Sequence, residues 1–457
     1  MAKRILGLVL AAAGVLGLLS GCCREETDKP AAPSTGVTIE VAAVQTEYGK
    51  EMWEAVCEAF TRETGIAVEL TINKSIEDFI TEPMQNGDHP DVVHLGTGRL
   101  AGLTENLTRV KGLHELTNVM NMTVPGENKK VSEKLAAGFA ATVQTNPYTD
   151  GKTYMAPMFY TPSGLFYNEK LFHQKGWSVP ETWEEMWALG EKAKAEGISL
   201  FTYRTPGDYE TFLYALMYCV GGADFFSKAT NFAEGIWDSP EAKKMFEIID
   251  KLSDYTHKDT PKKAGSKEYE DNQMLVLQNK ALFIPGGSWI VGETAGQVSA
   301  LGHDFAWGIT ALPALTKGGD RYAYCWMEQT WIPIGAEKKD AAEKFVAFLY
   351  SDVACSIFAN TQTDLQSGNP RPSGAIQPVL GMENQLEGNQ KLLYSVYSDG
   401  AKAAAGYFAD FYPIDGITTA NVFLQPIDAL TEGTLTIDEY ISNIKTAADL
   451  MRENLKN

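Results

Sequence analysis

The stretch VTIEVAAVQTEYGKEMWEAVCEAFTRETGIAVELTIN, Val37 to Asn73, changes hydrophobic period twice. Val37, Ile39, Val41 and Ala43 alternate with smaller or polar residues, which is the period of a strand. Met52, Trp53, Val56 and Phe60 then share one helical stripe, and Gly65 stands where that helix must stop. IAVELTIN returns to alternation, and a loop-rich piece leads to PDVVHLG, an apolar strand opened by Pro90. Strands separated by helical segments predict a parallel sheet with crossover helices.

The same alternation restarts downstream. Thr182 and Glu185 form a T-x-x-E capping box ahead of Trp183, Met186 and Trp187, and the helix ends at Gly197 before the strand ISLFTY. Between the two α/β units lies YMAPMFYTPSGLFYN, Tyr154 to Asn168, poor in charge and rich in aromatics, which reads as a strand crossing a boundary. SPEAKKMFEIIDKLSDY adds a helix with Ser239 as cap, Pro240 in the first turn, and Met245, Phe246, Ile249 and Leu252 on one face. A chain of 457 residues, 44% hydrophobic, favours two or three domains over one.

The N-terminus places the rest outside the cytoplasmic membrane. Lys3 and Arg4 precede an apolar run from Ile5 to Leu19, too short for a comfortable span and shaped like an export signal. The run ends in LLSGC, which resembles a bacterial lipoprotein signal: small Ser20 and Gly21 admit a peptidase, and Cys22 supplies a thiol for lipid. Residues 1–21 are thus expected to be a lipoprotein signal peptide and 22–36 a polar, Pro-containing tether.

Several chemistries are disfavoured. A net charge of -20, spread through the chain, repels nucleic acid. No G-x-x-x-x-G-K-[ST], G-x-G-x-x-G or H-E-x-x-H occurs. Ser288 in GGSWI lacks the last glycine of a nucleophile elbow. Asp88, His89, Asp91 and His94 in GDHPDVVHLG read as a polar turn entering a strand, where neighbours face opposite sides, in preference to a metal site. Cys57, Cys219, Cys325 and Cys355 stand far apart; they read mostly as core thiols, with one buried disulfide still open. The 59 acidic residues make any single carboxylate pair uninformative as a glycosidase signal. No cofactor or metal is expected.

Aromatic placement is more informative. Trp53 and Trp187 lie on helix stripes and read as core, whereas Tyr160 lies in the crossing segment, Tyr209 follows TPGD, and Trp326 and Trp331 bracket MEQT. In ALFIPGGSW the strand is expected to end at Pro285, and Gly286 and Gly287 let the backbone turn, throwing Trp289 to the carboxyl end of a sheet.

The lipobox, TEYGKEMWEAVCEAFTRETGIAVEL, YNEKLFHQKGWSVPETWEEMWALGEKAKAEGI, NKALFIPGGSWIVGE and ITALPAL resemble the extracellular solute-binding proteins of carbohydrate ABC transporters, maltose-binding-protein-like family 1. PGGSWIVGE and YFADFYPIDGITTANVFLQ are most similar to the N-acetylglucosamine and diacetylchitobiose branch. The resemblance implies an α/β fold of the two-lobed periplasmic-binding-protein-like type II, with a ligand cleft between lobes joined by hinge strands. Lobe one would comprise 36–156 with 287–336, and lobe two 157–286 with 337–457.

It also implies roles. Trp289 would floor the sugar, Tyr160 and Tyr209 would cover other faces, and Glu47, Arg99, Glu328, Gln329 and Asp410 would hydrogen-bond its hydroxyls. The implied protein is a monomer anchored through Cys22 to the cell surface or facing a periplasm. It would not be an enzyme, and it would deliver sugar to permease subunits served by a separate ATPase. A receptor for a polyamine or peptide, and a surface glycoside hydrolase, are the alternatives.

Overall fold

Strand β1 (Thr38–Val44) buries Ile39, Val41 and Ala43. Helix α1 (Glu51–Thr64) follows and stops at Gly65, whose φ of 71° lets its N–H reach the Thr61 carbonyl. β2 (Ala67–Asn73) then pairs in parallel with β1 from Thr38↔Ala67 to Val44↔Asn73. After α2 (Glu77–Gln85), β3 (Val92–His94) pairs in parallel with the opposite edge of β1. The crossover pattern read from the first stretch is therefore present. The computed structural model describes residues 31–265, 270–363 and 370–456. Cys22, the export signal and most of the tether lie outside those residues.

The boundary segment is one long strand, β4 (Met155–Asn168). The expected capping box closes on both sides at the start of α3 (Trp183–Ala195), and β5 (Ser199–Phe201) follows. Next come α4 (Gly207–Thr230) and α5 (Pro240–Tyr255), the latter capped by the Ser239 hydroxyl. β6 (Ala281–Gly287) runs two residues beyond the expected stop at Pro285. Pairing with β5 ends at Phe283, so past that point one edge of β6 is open, and Leu165 of β4 sits opposite Pro285. A proline is tolerated at such an edge. The short α6 (Trp289–Glu293) starts directly after it.

β7 (Trp307–Thr310) pairs with β4, and β8 (Tyr322–Trp331) is the second long strand. α7 (Lys339–Phe348), α8 (Asp352–Asn360) and β9 (Lys402–Ala404) follow, β9 pairing in parallel with the start of β8. Among the described residues these strands join in the order β2-β1-β3-β8-β4-β6-β5, with β7 on β4 and β9 on β8.

Two large cores hang on this sheet, beside two smaller clusters around Trp331 and around Phe166, Ile290 and Trp307. One unites Ile39, Trp53, Phe60 and Tyr160 with Cys325, Phe345 and Ala403. The other unites Leu165, Trp183, Phe212 and Phe283 with Tyr324, Ala404 and Tyr440. β4 passes from the first core to the second after Tyr160, while β8 and β9 feed both cores by alternation, Ala323, Cys325, Ala403 and Ala405 to the first and Tyr324 and Ala404 to the second. α7 and α8, assigned by the sequence reading to lobe two, bury their apolar faces against α1 in the first core. Phe60 meets Phe345 edge-on at 5.0 Å, and Trp53 meets Phe358 at 5.1 Å. Their faces complete the helix layer over β1, which no pattern inside residues 337–405 reveals.

Cys57, Cys219, Cys325 and Cys355 are free thiols. Asp91 accepts from the Glu40 N–H at 2.9 Å and from Lys338, clamping β1 to β3, and the described residues hold no cluster of three metal-ligating groups.

Candidate functional site

The site is built on the crossing strands. Strand parity sends Ala323, Cys325 and Met327 of β8 into the first core and turns Tyr324, Trp326 and Glu328 to the other face. Trp326 is half-buried, and the Trp289 ring lies 5.2 Å from it at a 60° tilt. Tyr324 meets Trp326 edge-on, also at 5.2 Å. Trp289 is half-buried and folds back across Gly287, where an added Cβ would come within 2.3 Å of the indole. That glycine is needed for close approach of a ring to the backbone.

One wall beside the tryptophans is unsatisfied. Asp208, in the first turn of α4, is fully buried, and neither carboxylate oxygen closes a hydrogen bond. Arg204 lies 3.7 Å away, longer than a charge-assisted hydrogen bond. Burial pushes the Asp208 carboxyl up to about 7; Arg204 opposes the rise and Glu293 of α6 adds to it. The Trp289 indole N–H faces the same carboxyl and is itself buried without a standard partner.

On the other wall most polar groups are paired, although Gln144, whose amide donates to the Thr97 hydroxyl at 2.7 Å, keeps a buried Oε1 without a partner. Glu328, about a quarter exposed, bonds His94 Nε2 at 2.9 Å, while His94 Nδ1 meets the Thr330 hydroxyl at 2.9 Å. Arg99 grips Glu77 through Nε and Nη2 and donates to the Lys74 carbonyl at 2.9 Å. Burial pushes the Glu77 carboxyl up, but the guanidinium and a backbone hydrogen bond together more than offset this and hold it below the usual carboxylate range. Tyr48 sits near Glu47, Glu328 and Thr161, its phenol raised chiefly by burial. Tyr407, from the segment after β9, lies over Gly98 on this wall.

The structure brings together Trp289, Trp326, Asp208 and Arg204 on one side, and Glu328, Arg99 and Glu47 on the other. Gln329 is buried; its Oε1 accepts from the Thr97 N–H at 3.0 Å and its Nε2 donates to the Met327 carbonyl. It shapes the 95–98 loop. Tyr160 is in the first core, edge-on to Phe139 at 4.8 Å and Tyr394 at 5.0 Å. Tyr209 is buried against Tyr203 and Phe212. Neither ring is available as a platform in this conformation. Glu47 is exposed, and Asp410 is exposed beside the end of the chain, its carbonyl accepting from the Lys456 N–H.

Asp208, Arg204 and His94 were not among the expected binding residues. Asp208 stands one position before the chosen Tyr209, and its signal is an acid in the first turn of a mostly buried helix.

The profile of the bacterial extracellular solute-binding protein family matches residues 42–354. The diacetylchitobiose-binding protein NgcE of Streptomyces coelicolor is 22% identical over 296 residues, which span 64% of this chain and 60% of NgcE. The diacetylchitobiose-binding protein DasA of the same organism is 21% identical over 403 residues, 85% of each chain. The bacterial solute receptor AcbH superposes with a TM-score of 0.61 at 17% identity, covering 91% of this chain and 98% of that one. The sugar-binding protein MalE from Xanthomonas citri gives 0.58 at 15%, over 91% and 98%. The structural likeness is one of fold, two lobes on a mixed α/β sheet, and with two-thirds of its length matched the chain belongs to the bacterial extracellular solute-binding protein family.

Proposed function

We propose that this chain is a lipid-anchored extracytoplasmic receptor that captures a mono- or oligosaccharide, N-acetylglucosamine or chitobiose first, and delivers it to an ABC transporter permease. The observation that carries the reading is the Trp289–Trp326 pair at the crossing strands, 5.2 Å between rings. One face of a pyranose is a sheet of C–H groups, and a partly exposed indole offers the flat apolar surface against which it stacks. The names borne by the relatives NgcE and DasA support the choice of sugar.

The lobes in this reading follow the two cores, with the N-terminal segment and 337–403 in one and most of 161–324 with the C-terminal helices in the other. A ligand held on the tryptophans and reached by Glu328 or Glu47 from the other lobe favours the closed form, and closure excludes water from its hydrogen bonds. No bond is made or broken. Cys22 carries the lipid, and the monomer docks on its permease when closed.

Calorimetric titration with N-acetylglucosamine, chitobiose and maltose tests the reading, with saturable heat expected for the N-acetylated sugars. A rise in melting temperature with spermidine and none with any sugar would end it. Release of reducing ends from chitooligosaccharides would point to a hydrolase instead.

A further inference from the structure

Three buried polar atoms lack a hydrogen-bond partner, Trp289 Nε1 and the two carboxylate oxygens of Asp208, and the indole N–H is among the groups that act on that carboxyl. The indole is confined on its other sides, by the backbone at Gly287 beneath it and by Trp326 beside it. An indole has one polar atom, and the direction of that N–H fixes how the ring is turned in its plane. We propose that Asp208 is the positioning residue of the Trp289 platform, accepting the indole N–H so that the ring is held ready for its ligand. The role of the ring as a platform rests on the carbohydrate reading above; the hold of Asp208 on the indole does not.

A carboxylate is a stronger acceptor than a carboxylic acid, so the hold depends on ionisation. The charged and titratable groups facing Asp208 are Arg204 from the preceding loop, which favours the anion, and Glu293 from α6, which opposes it. With the carboxyl raised to about 7, the hold is present above that pH and lost below it.

Fluorine NMR of protein grown with 5-fluorotryptophan reads the contact with no ligand added. The Trp289 resonance, assigned as the one missing in Trp289→Phe, is expected to shift between pH 5.5 and 8.5 with a midpoint near 7 and to stay still in Asp208→Asn. A resonance that does not move in the wild-type protein, or that moves alike in Asp208→Asn, overturns the proposal. The wild-type measurement decides even where the variant does not fold. Affinity supplies the second arm: Asp208→Leu is expected to weaken sugar binding roughly fivefold in the wild-type background but not in Trp289→Phe, which has no N–H to hold. Equal losses in both backgrounds overturn it. If no sugar binds while the fluorine resonance titrates as described, the carbohydrate reading fails and the positioning role stands.

Discussion

The two walls flanking the crossing strands solve the same problem in opposite ways. On the Arg99 wall these polar side chains have closed on neighbours: guanidinium on Glu77, imidazole on Glu328 and Thr330, Gln329 on the 97 amide. On the Trp289 wall a fully buried carboxyl and an indole N–H have only each other and close no hydrogen bond of standard geometry. Unsatisfied buried groups cost free energy, and a fold tolerates them where the site must still accept something. In the proposed reading the first wall holds the fold and the second holds ligand.

The largest expected effect falls on the second wall. Trp289→Ala removes the stacking surface and should weaken sugar affinity by about 2 kcal/mol, from the apolar area no longer withdrawn from water, or roughly thirtyfold. Because the ring is partly exposed, the melting temperature should fall less than for a fully buried tryptophan. Calorimetry with the best-bound sugar checks the first statement and a thermal scan the second. An unchanged affinity would remove the tryptophan pair as the basis of recognition.

Arg99→Gln should invert that signature. It leaves Glu77 buried without its cation, and the unfolding free energy should fall by about 2 kcal/mol, while sugar affinity stays within about twofold. Urea unfolding and calorimetry on the same sample separate the two. A large loss of affinity with intact stability would move Arg99 into the binding set that the sequence reading assigned it.

Gly287→Ala tests the second wall from beneath. The new methyl would occupy space the indole now fills, 2.3 Å from the ring, so Trp289 must leave its rotamer at a cost of about 1 kcal/mol. The expected result is an affinity loss of roughly fivefold, smaller than deletion of the ring because a displaced indole still covers part of the sugar.

How far the site was readable in the sequence follows the range of the signals. The stripe of α1 and the caps at Thr182 and Ser239 are set within a few residues, and they read correctly. The placement of Trp289 just past a strand end was legible, because Pro-Gly-Gly marks such an end even though β6 outlasts the proline. Tyr160 was not, because an irregularity in β4 between Pro157 and Tyr160 shifts its register against β8 and turns the ring into the core. Tyr209 and Asp208 are helix neighbours about 100° apart, and α4 is buried nearly all round, so no polar face distinguishes the side that meets Trp289. The membership of α7 and α8 in the first core is a long-range packing fact with no local trace.

The smallest effect concerns the reach between walls. Glu47 is exposed on the loop after β1, next to Tyr48, and belongs to neither closed network. With an exposed charge in water contributing well under 1 kcal/mol, Glu47→Gln should alter sugar affinity by less than about twofold if the ligand rests on the Trp289 wall alone. Closure would change that, since expelling water strengthens any hydrogen bond from this carboxylate to a hydroxyl. A loss of tenfold or more would therefore mean that the captured sugar touches both walls at once and that the division between fold-holding and ligand-holding surfaces applies only to the empty protein.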